Sequence, residues 1–157
     1  MLKILFVCLG NICRSPAAEN IMNNLIQQNQ LQDLIECDSA GTAGYHIGSP
    51  PDSRMSAAAH RRGLKFVGAA RQFSRQDFAK FDLILAMDQA NYRNILALDP
   101  GDQFGDKVKM MCTYCTKYSD REVPDPYYGG EQGFEYVLDL LDDACKGLLA
   151  ELKSSLE

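Results

Sequence analysis

Hydrophobic and polar positions along this chain change period repeatedly, which predicts strands interleaved with helices. Short apolar runs, the usual length of buried strands, occupy residues 3–7, 34–38, 81–87 and 108–111. After the first run, apolar residues recur at helical spacing at Ala18, Ile21, Met22 and Leu25. This order predicts a single-domain α/β fold in which four parallel strands carry helices on both faces.

Capping residues indicate where several helices begin. Ser15 followed by Pro16 is typical of a helix start, and Asp52 is a second candidate cap, for a helix that runs to Arg62. Asp88, after the third strand, is better explained as a helix cap than as a catalytic carboxylate. The last helix shows an apolar stripe at Phe134, Val137, Leu138, Leu141, Cys145, Leu148, Leu149 and Leu152.

Composition narrows the classes of function. The 157 residues contain no repeat or linker, so we expect one domain over 1–157. A net charge of -5 without long charged runs argues against a nucleic-acid partner. The apolar run Ile4–Val7 is too short for a bilayer and no signal-peptide pattern follows it. Six cysteines without a secretory signal favour free thiols, metal ligands or catalysts over a disulfide framework, so we expect a cytoplasmic protein that binds no membrane. The sequence leaves the oligomeric state open, with a monomer as the first expectation.

The loop after the first strand has the composition of a phosphate site. It begins at Cys8 and ends at Arg14 and Ser15, between a strand and a helix. Helix N-termini present free N–H groups and a positive dipole to anions. Gly10 and Asn11 tolerate left-handed backbone, which would let successive amides curl around one anion. In parallel sheets, ligands bind beyond the carboxyl ends of the strands, where this loop lies.

The same loop offers a nucleophile. A thiolate is favoured over a thiol near a helix N-terminus and an arginine, so we expect Cys8 to be ionised at neutral pH. Arg14 can bind two phosphoryl oxygens in fork geometry, and Ser15 can donate its hydroxyl to the Cys8 sulfur. A second cysteine and arginine at this spacing, Cys115 and Arg121, lack a glycine between them and a following helix, and we interpret them as unrelated to anion binding.

Asp125 is the candidate general acid and base. It lies between two prolines, which limit its backbone freedom, and beside Tyr127 and Tyr128, whose rings could face an aromatic substrate. The alternative interpretation of this segment is an exposed turn.

Four segments together resemble one family, the low-molecular-weight protein-tyrosine phosphatases. They are VCLGNICRSP at 7–16, DSAGT at 38–42, Met87-Asp88, and DPYY at 125–128, in family order and spacing over almost the whole chain. The resemblance implies a flavodoxin-like strand order 2-1-3-4. It also implies the roles of nucleophile for Cys8, phosphate clamp for Arg14, and general acid and then base for Asp125.

The resemblance further assigns residues around the nucleophile. It implies a hydrogen-bonded network of Asn11, Ser15 and Ser39, and a pocket wall formed by Leu9, Ile12, Tyr45, Tyr127 and Tyr128. Animal members usually carry a histidine in that network, shortly before Ala-Arg-Gln. Here Gly68 and Ala69 precede Ala70-Arg71-Gln72, so the outer partner of the network is not given by the sequence.

The other cysteines and the histidines leave alternatives open. Cys13 could be a small space-filling residue or, as the family suggests, a reversible disulfide partner of Cys8. Cys112 and Cys115 could be half of a zinc site or a redox pair, but with His46 and His60 as the sole histidines we expect no metal and no cofactor. Cys37 and Cys145 lie in apolar patterns typical of core thiols, and His46 is expected to be a solvated residue at the pocket rim.

We therefore predict a protein-tyrosine phosphatase that hydrolyses phosphotyrosine and other aryl phosphate monoesters through a phosphocysteine, with tyrosine-phosphorylated proteins as substrates. One rival is a thiol-dependent arsenate reductase of the same fold, with Cys112 and Cys115 as relay thiols. The other is a non-catalytic phosphotyrosine-binding module, which would bind without turnover.

Overall fold

The predicted parallel sheet is present in the computed structural model, which describes residues 1–126 and 130–156. Its four strands are all parallel and lie in the order β2-β1-β3-β4, as the resemblance implies. Their bounds are Leu2–Cys8 for β1, Ile35–Gly41 for β2, Leu83–Ala86 for β3 and Val108–Met110 for β4. β1 has a neighbour on each side, so Cys8 ends a central strand.

Helices connect the strands. Their bounds are Arg14–Gln28 for α1, Ser53–Arg61 for α2, Gln76–Lys80 for α3, Gln89–Leu96 for α4 and Gly130–Leu156 for α5. Asp52 and Asp88 cap α2 and α4 as predicted, since each carboxylate accepts a backbone N–H of the first turn. Within the described residues, no helix combines the length and apolar composition needed to cross a bilayer.

The core lies on both faces of the sheet because β1 alternates its side chains between them. Ile4 and Phe6 pack with residues of α1, α2 and α5. Leu5 and Val7 pack on the other face with residues of α3 and α4. All four side chains are fully buried. The apolar stripe of α5 is buried as predicted, with Leu152 at its partly exposed end.

Some element ends differ from the predictions. The expectation that Ser15 caps α1 is wrong: the helix begins at Arg14, and the capping position belongs to Cys13, whose side chain makes no capping hydrogen bond. The Ser15 hydroxyl is instead committed to Cys8 and Asn11. α5 begins at Gly130, before its apolar stripe, and the five-residue α3 is too short to show a period.

Candidate active site

The loop between β1 and α1 forms the floor of the site. Asn11 adopts a left-handed backbone with φ of 59°, as predicted. Gly10, which tolerates the same backbone, does not adopt a positive φ, and a Cβ there would lie 3.0 Å from the His46 ring. Gly41, at the end of β2, is needed because a Cβ would lie 2.6 Å from the Leu9 carbonyl oxygen. The loop therefore folds closely against the neighbouring strand.

The start of α1 faces this loop without a side-chain cap. Because the Cys13 side chain makes no capping bond, it leaves the first N–H groups of α1 available to an external anion. The positive end of the helix dipole adds to the attraction. Cys8 is 3% exposed at the end of β1, beside these amides.

Arg14 is buried and oriented by three oxygen atoms. Its Nη1 donates to Asp88 Oδ2 at 2.7 Å and to the Val123 carbonyl at 3.0 Å. Its Nη2 lies 3.7 Å from Asp125 Oδ2. Although burial lowers the pKa of Arg14, the charges of Cys8, Asp88 and Asp125 raise it overall, so the guanidinium stays positive.

Hydrogen bonds connect the Cys8 sulfur to the polar residues beneath it. Ser15 Oγ lies 3.0 Å from Cys8 Sγ. Asn11 Nδ2 donates to Ser15 Oγ at 2.8 Å and to Ser39 Oγ at 3.0 Å. The structure thus brings together the three network residues that the resemblance implies. Two further members, the Arg71 backbone N–H and the Glu19 carboxylate, occupy the outer positions.

One pocket collects most of the predicted site residues. It is lined by Cys8, Leu9, Gly10, Ile12, Cys13, Arg14, Tyr45, His46 and Asp125. Asn11, Ser15 and Ser39 lie buried beneath this lining. Tyr127 and Tyr128 lie outside the described residues. The pocket therefore places a buried sulfur at its base, a guanidinium beside it and a carboxylate at its side.

Sequence reasoning missed two contributors, Asp88 and Glu19. Asp88 orients Arg14 in addition to capping α4. His46, expected at the pocket rim, lines the pocket and is half-buried rather than fully solvated. The sequence does contain one indication of Glu19, because Ser15 and Glu19 are four residues apart and share one face of α1. It contains no indication of the Arg14–Asp88 contact, since that contact depends on the register of two strands.

Of the other five cysteines, Cys13 lines the pocket and the rest do not. Burial, with Asp52 and Cys8 nearby, raises the pKa of Cys13, which keeps that pocket residue a neutral thiol. Cys145 is fully buried in the core, as predicted, and Cys37 is partly buried against it. Cys112 and Cys115 do not line the pocket. Within residues 1–126 and 130–156, no group of three His, Cys, Asp or Glu side chains could hold a metal ion.

A buried cysteine, a buried arginine and a carboxylate in the lining of one pocket form the arrangement that a thiol-dependent phosphoryl-transfer enzyme requires. The sequence profile of the family Low molecular weight phosphotyrosine protein phosphatase matches residues 3–157. A Synechocystis relative named for the low molecular weight protein-tyrosine-phosphatases is 63% identical over 155 residues, covering 99% of each chain. The human Low molecular weight phosphotyrosine protein phosphatase is 37% identical, covering 94% of this chain and 93% of its own.

The structural comparison agrees. A crystal structure of a protein tyrosine phosphatase from Entamoeba histolytica superposes with a TM-score of 0.95 at 46% identity, covering 100% of both chains. The chain belongs to the low molecular weight phosphotyrosine protein phosphatase family. The prediction of a cysteine-dependent phosphatase is thereby confirmed.

Proposed function

We propose that this protein hydrolyses phosphotyrosine in proteins, and other aryl phosphate monoesters, with Cys8 as nucleophile, Arg14 as phosphate clamp and Asp125 as general acid and base. The arrangement of these three residues around one pocket carries the proposal. Cys8 and Arg14 are each 3% exposed, and Asp125 reaches the guanidinium from the open side. A phosphoryl group seated on the loop would contact all three residues.

The first step transfers the phosphoryl group to sulfur. Cys8 Sγ attacks phosphorus, the S–P bond forms, and the bond from phosphorus to the phenolic oxygen breaks. Asp125 donates a proton to the departing oxygen, so that a neutral phenol leaves. The backbone N–H groups of the loop, Gly10 and Asn11 among them, and the fork of Arg14 hold the equatorial oxygens, where negative charge is concentrated.

The second step releases phosphate. Asp125, now a carboxylate, takes a proton from a water molecule, which attacks phosphorus while the S–P bond breaks. The electron pair returns to Cys8, and Ser15, 3.0 Å from the sulfur, stabilises the departing thiolate by donating its hydroxyl. Inorganic phosphate leaves and the enzyme returns to its starting state.

The depth of the pocket favours aromatic substrates. The sulfur lies at the base, while Leu9 and Tyr45 are exposed at the rim and Ile12 is half-buried between them. A phenyl phosphate is long and flat enough to bring phosphorus to the sulfur while its ring contacts this wall. Tyr127 and Tyr128 are proposed to complete the wall.

Hydrolysis of p-nitrophenyl phosphate in the presence of EDTA tests this proposal. We expect turnover by the purified protein without added metal, since the proposed mechanism uses protein groups alone. Cys8→Ser should bind inorganic phosphate but lose turnover, because a serine hydroxyl is not ionised at neutral pH. Full activity of Cys8→Ser would overturn the proposal, and tight phosphotyrosine binding without turnover by the unchanged protein would favour a binding module.

The free thiols favour a reducing cellular compartment for this protein. We place the protein in the cytoplasm, because a reducing compartment keeps a nucleophilic cysteine available, and all six cysteines are free in the structure. We further propose that residues 1–157 form one phosphatase domain, since the family profile matches residues 3–157, and that it works as a monomer, since one chain supplies the sulfur, the guanidinium and the carboxylate that the mechanism needs.

A further inference from the structure

A line of hydrogen bonds runs from the nucleophile to Glu19, a residue that the two-step mechanism does not use. It passes from Cys8 Sγ to Ser15 Oγ (3.0 Å), to Asn11 Nδ2 (2.8 Å), to Ser39 Oγ (3.0 Å) and to Glu19 Oε1 (2.6 Å). The serines and the asparagine are nearly inaccessible to solvent, and Glu19 is partly buried. The Glu19–Ser39 bond is the shortest of the four, as expected for a hydroxyl that donates to a carboxylate.

The direction of these bonds is set at Asn11. The backbone N–H of Arg71 donates to Asn11 Oδ1 at 2.9 Å, and a backbone N–H cannot act as an acceptor. The side-chain amide of Asn11 is therefore fixed with its oxygen toward Arg71. Both hydrogens on Nδ2 must then donate, one to Ser15 and one to Ser39.

Each serine oxygen thus accepts from Asn11 and must send its own proton elsewhere. The Ser39 proton goes to Glu19 Oε1. The Ser15 proton has two acceptors within reach, Cys8 Sγ at 3.0 Å and the Ala40 carbonyl at 3.4 Å, and the sulfur is the nearer. The orientation that this pattern favours is the one that stabilises a thiolate.

We propose that Glu19 is a positioning residue, which accepts the Ser39 proton and so keeps Asn11 donating to both serines and Ser15 donating to the Cys8 sulfur. The inference rests on the proposed role of Cys8. Without this carboxylate, the Ser39 proton has no other acceptor among the described residues. A Ser39 hydroxyl that turned to pair this buried proton elsewhere would accept less well from Asn11 Nδ2, and Asn11 would be held less firmly in the left-handed conformation that shapes the loop.

The surroundings of Glu19 are compatible with this role. Burial raises the pKa of Glu19, with Asp38 adding to the effect, while the Ser39 hydrogen bond and the charge of Arg71 oppose it. A carboxyl group protonated at Oε2 would still accept the Ser39 proton at Oε1. The direction of the network is therefore the same with either charge on Glu19.

Loss of the Glu19 carboxylate should slow mainly the second step of the reaction. A donor to sulfur matters most when the S–P bond breaks and the thiolate departs. Glu19→Ala should therefore lower kcat for p-nitrophenyl phosphate about tenfold and kcat/KM by about threefold or less. The pre-steady-state burst of nitrophenolate should become more pronounced, because the phosphocysteine accumulates.

Three variants separate this role from a general loss of structure or charge. Glu19→Gln keeps an acceptor at Oε1 without the charge, and should restore most of kcat. Glu36→Ala removes the same charge from an exposed position on β2 outside the network, and should behave like the unchanged protein. In a Ser39→Ala background, Glu19→Ala should have no further effect, since the bond through which it acts is already absent.

The outcomes are distinguishable. Three results would each overturn the inference about Glu19. The first is an unchanged kcat and burst in Glu19→Ala, and the second is a loss of kcat in Glu19→Gln equal to that in Glu19→Ala. The third is a full further loss of kcat when Glu19→Ala is added to Ser39→Ala. If Glu19→Ala does not fold, the kcat of Glu19→Gln and the comparison of Ser39→Ala with the double variant Ser39→Ala/Glu19→Ala still decide it. Activity that survives in Cys8→Ser would instead overturn the proposed function itself.

Discussion

At Arg14, two carboxylates share one guanidinium with unequal strength. Asp88 holds Nη1 at 2.7 Å and is 23% exposed, whereas Asp125 lies 3.7 Å from Nη2 and is 39% exposed. A bound phosphoryl group would compete with Asp125 for Nη2 and repel its negative charge. Asp88 can therefore keep Arg14 oriented while Asp125 turns to the leaving group.

The proposed acid role of Asp125 predicts that the rate depends on the leaving group. Asp125→Asn removes the proton donor but keeps the shape of the side chain. The first step should slow about 10²–10³-fold for phenyl phosphate, whose leaving group needs a proton, and about tenfold or less for p-nitrophenyl phosphate. Single-turnover rates for the two substrates measure the difference. Equal slowing of both would contradict the acid role.

At this scale the sequence predicted which residues meet better than how they contact one another. Cys8, Arg14 and Asp125 were singled out because thiol, guanidinium and carboxylate each suit phosphoryl transfer, and the structure places all three in one pocket. The Arg14–Asp88 bond was missed because it follows from pairing β1 with β3, in which Val7 lies beside Ala86. The closeness of Gly41 to Leu9 likewise depends on the β1–β2 register, which the chain order does not reveal.

Among the elements, α5 depends on a close approach to the segment after β4. A Cβ at Gly147 would collide with the carbonyl oxygen of Tyr114, a backbone atom that cannot rotate away. At Gly133, on the same helix, the nearest atoms lie at an ordinary 3.8 Å, in Pro126. The two glycines therefore differ in what they permit, although both lower helix propensity.

This difference predicts that replacing glycine by alanine changes the free energy of unfolding in opposite directions at the two positions. Gly133→Ala should raise the free energy of unfolding by up to about 1 kcal/mol through helix propensity. Gly147→Ala should lower it by about 1–3 kcal/mol, because the helix must shift from Tyr114. Urea denaturation of both variants provides the test. Stabilisation by Gly147→Ala would show that α5 does not pack this closely.

Element prediction succeeded where one face of an element is buried and failed where it is short or polar. The apolar stripe of α5 fixed its core-facing side, but its first turn, from Gly130, carries glycines and polar residues without a period. α3 has five residues, little more than one turn, and its sequence could equally be a loop.

For the molecule as a whole, Asp143 connects α5 to the segment that follows Cys115. Its carboxylate, 8% exposed, accepts backbone N–H bonds from Thr116, Lys117 and Tyr118 at 2.9–3.3 Å. Burial alone would raise the pKa of Asp143, but these hydrogen bonds outweigh it and lower the pKa. The charged form is therefore the one that stabilises the fold.

This lowered pKa predicts how stability depends on pH. The stabilisation by Asp143 should be fully present above the unfolded-state pKa of about 3.9 and be lost as the pH falls through the lower folded-state pKa. Asp143→Asn should cost about 1–3 kcal/mol at neutral pH, with the gap closing in strong acid. The exposed Asp142→Asn, which breaks a pair with Lys146, should cost under about 0.5 kcal/mol throughout.

Urea denaturation at neutral and strongly acidic pH measures both variants. A cost for Asp143→Asn that is independent of pH would contradict the role of its charge. The sequence did not single out Asp143, because its partners are backbone N–H groups, which leave no signal in residue identity.

Trapping the covalent intermediate tests the central claim, that Cys8 carries the phosphoryl group, most directly. The protein is mixed with p-nitrophenyl phosphate, quenched within the first turnover, digested and examined by mass spectrometry. We expect one phosphoryl group on the peptide that contains Cys8, formed together with a burst of nitrophenolate. A phosphoryl group on another residue, or a full turnover during which Cys8 is never modified, would contradict the account.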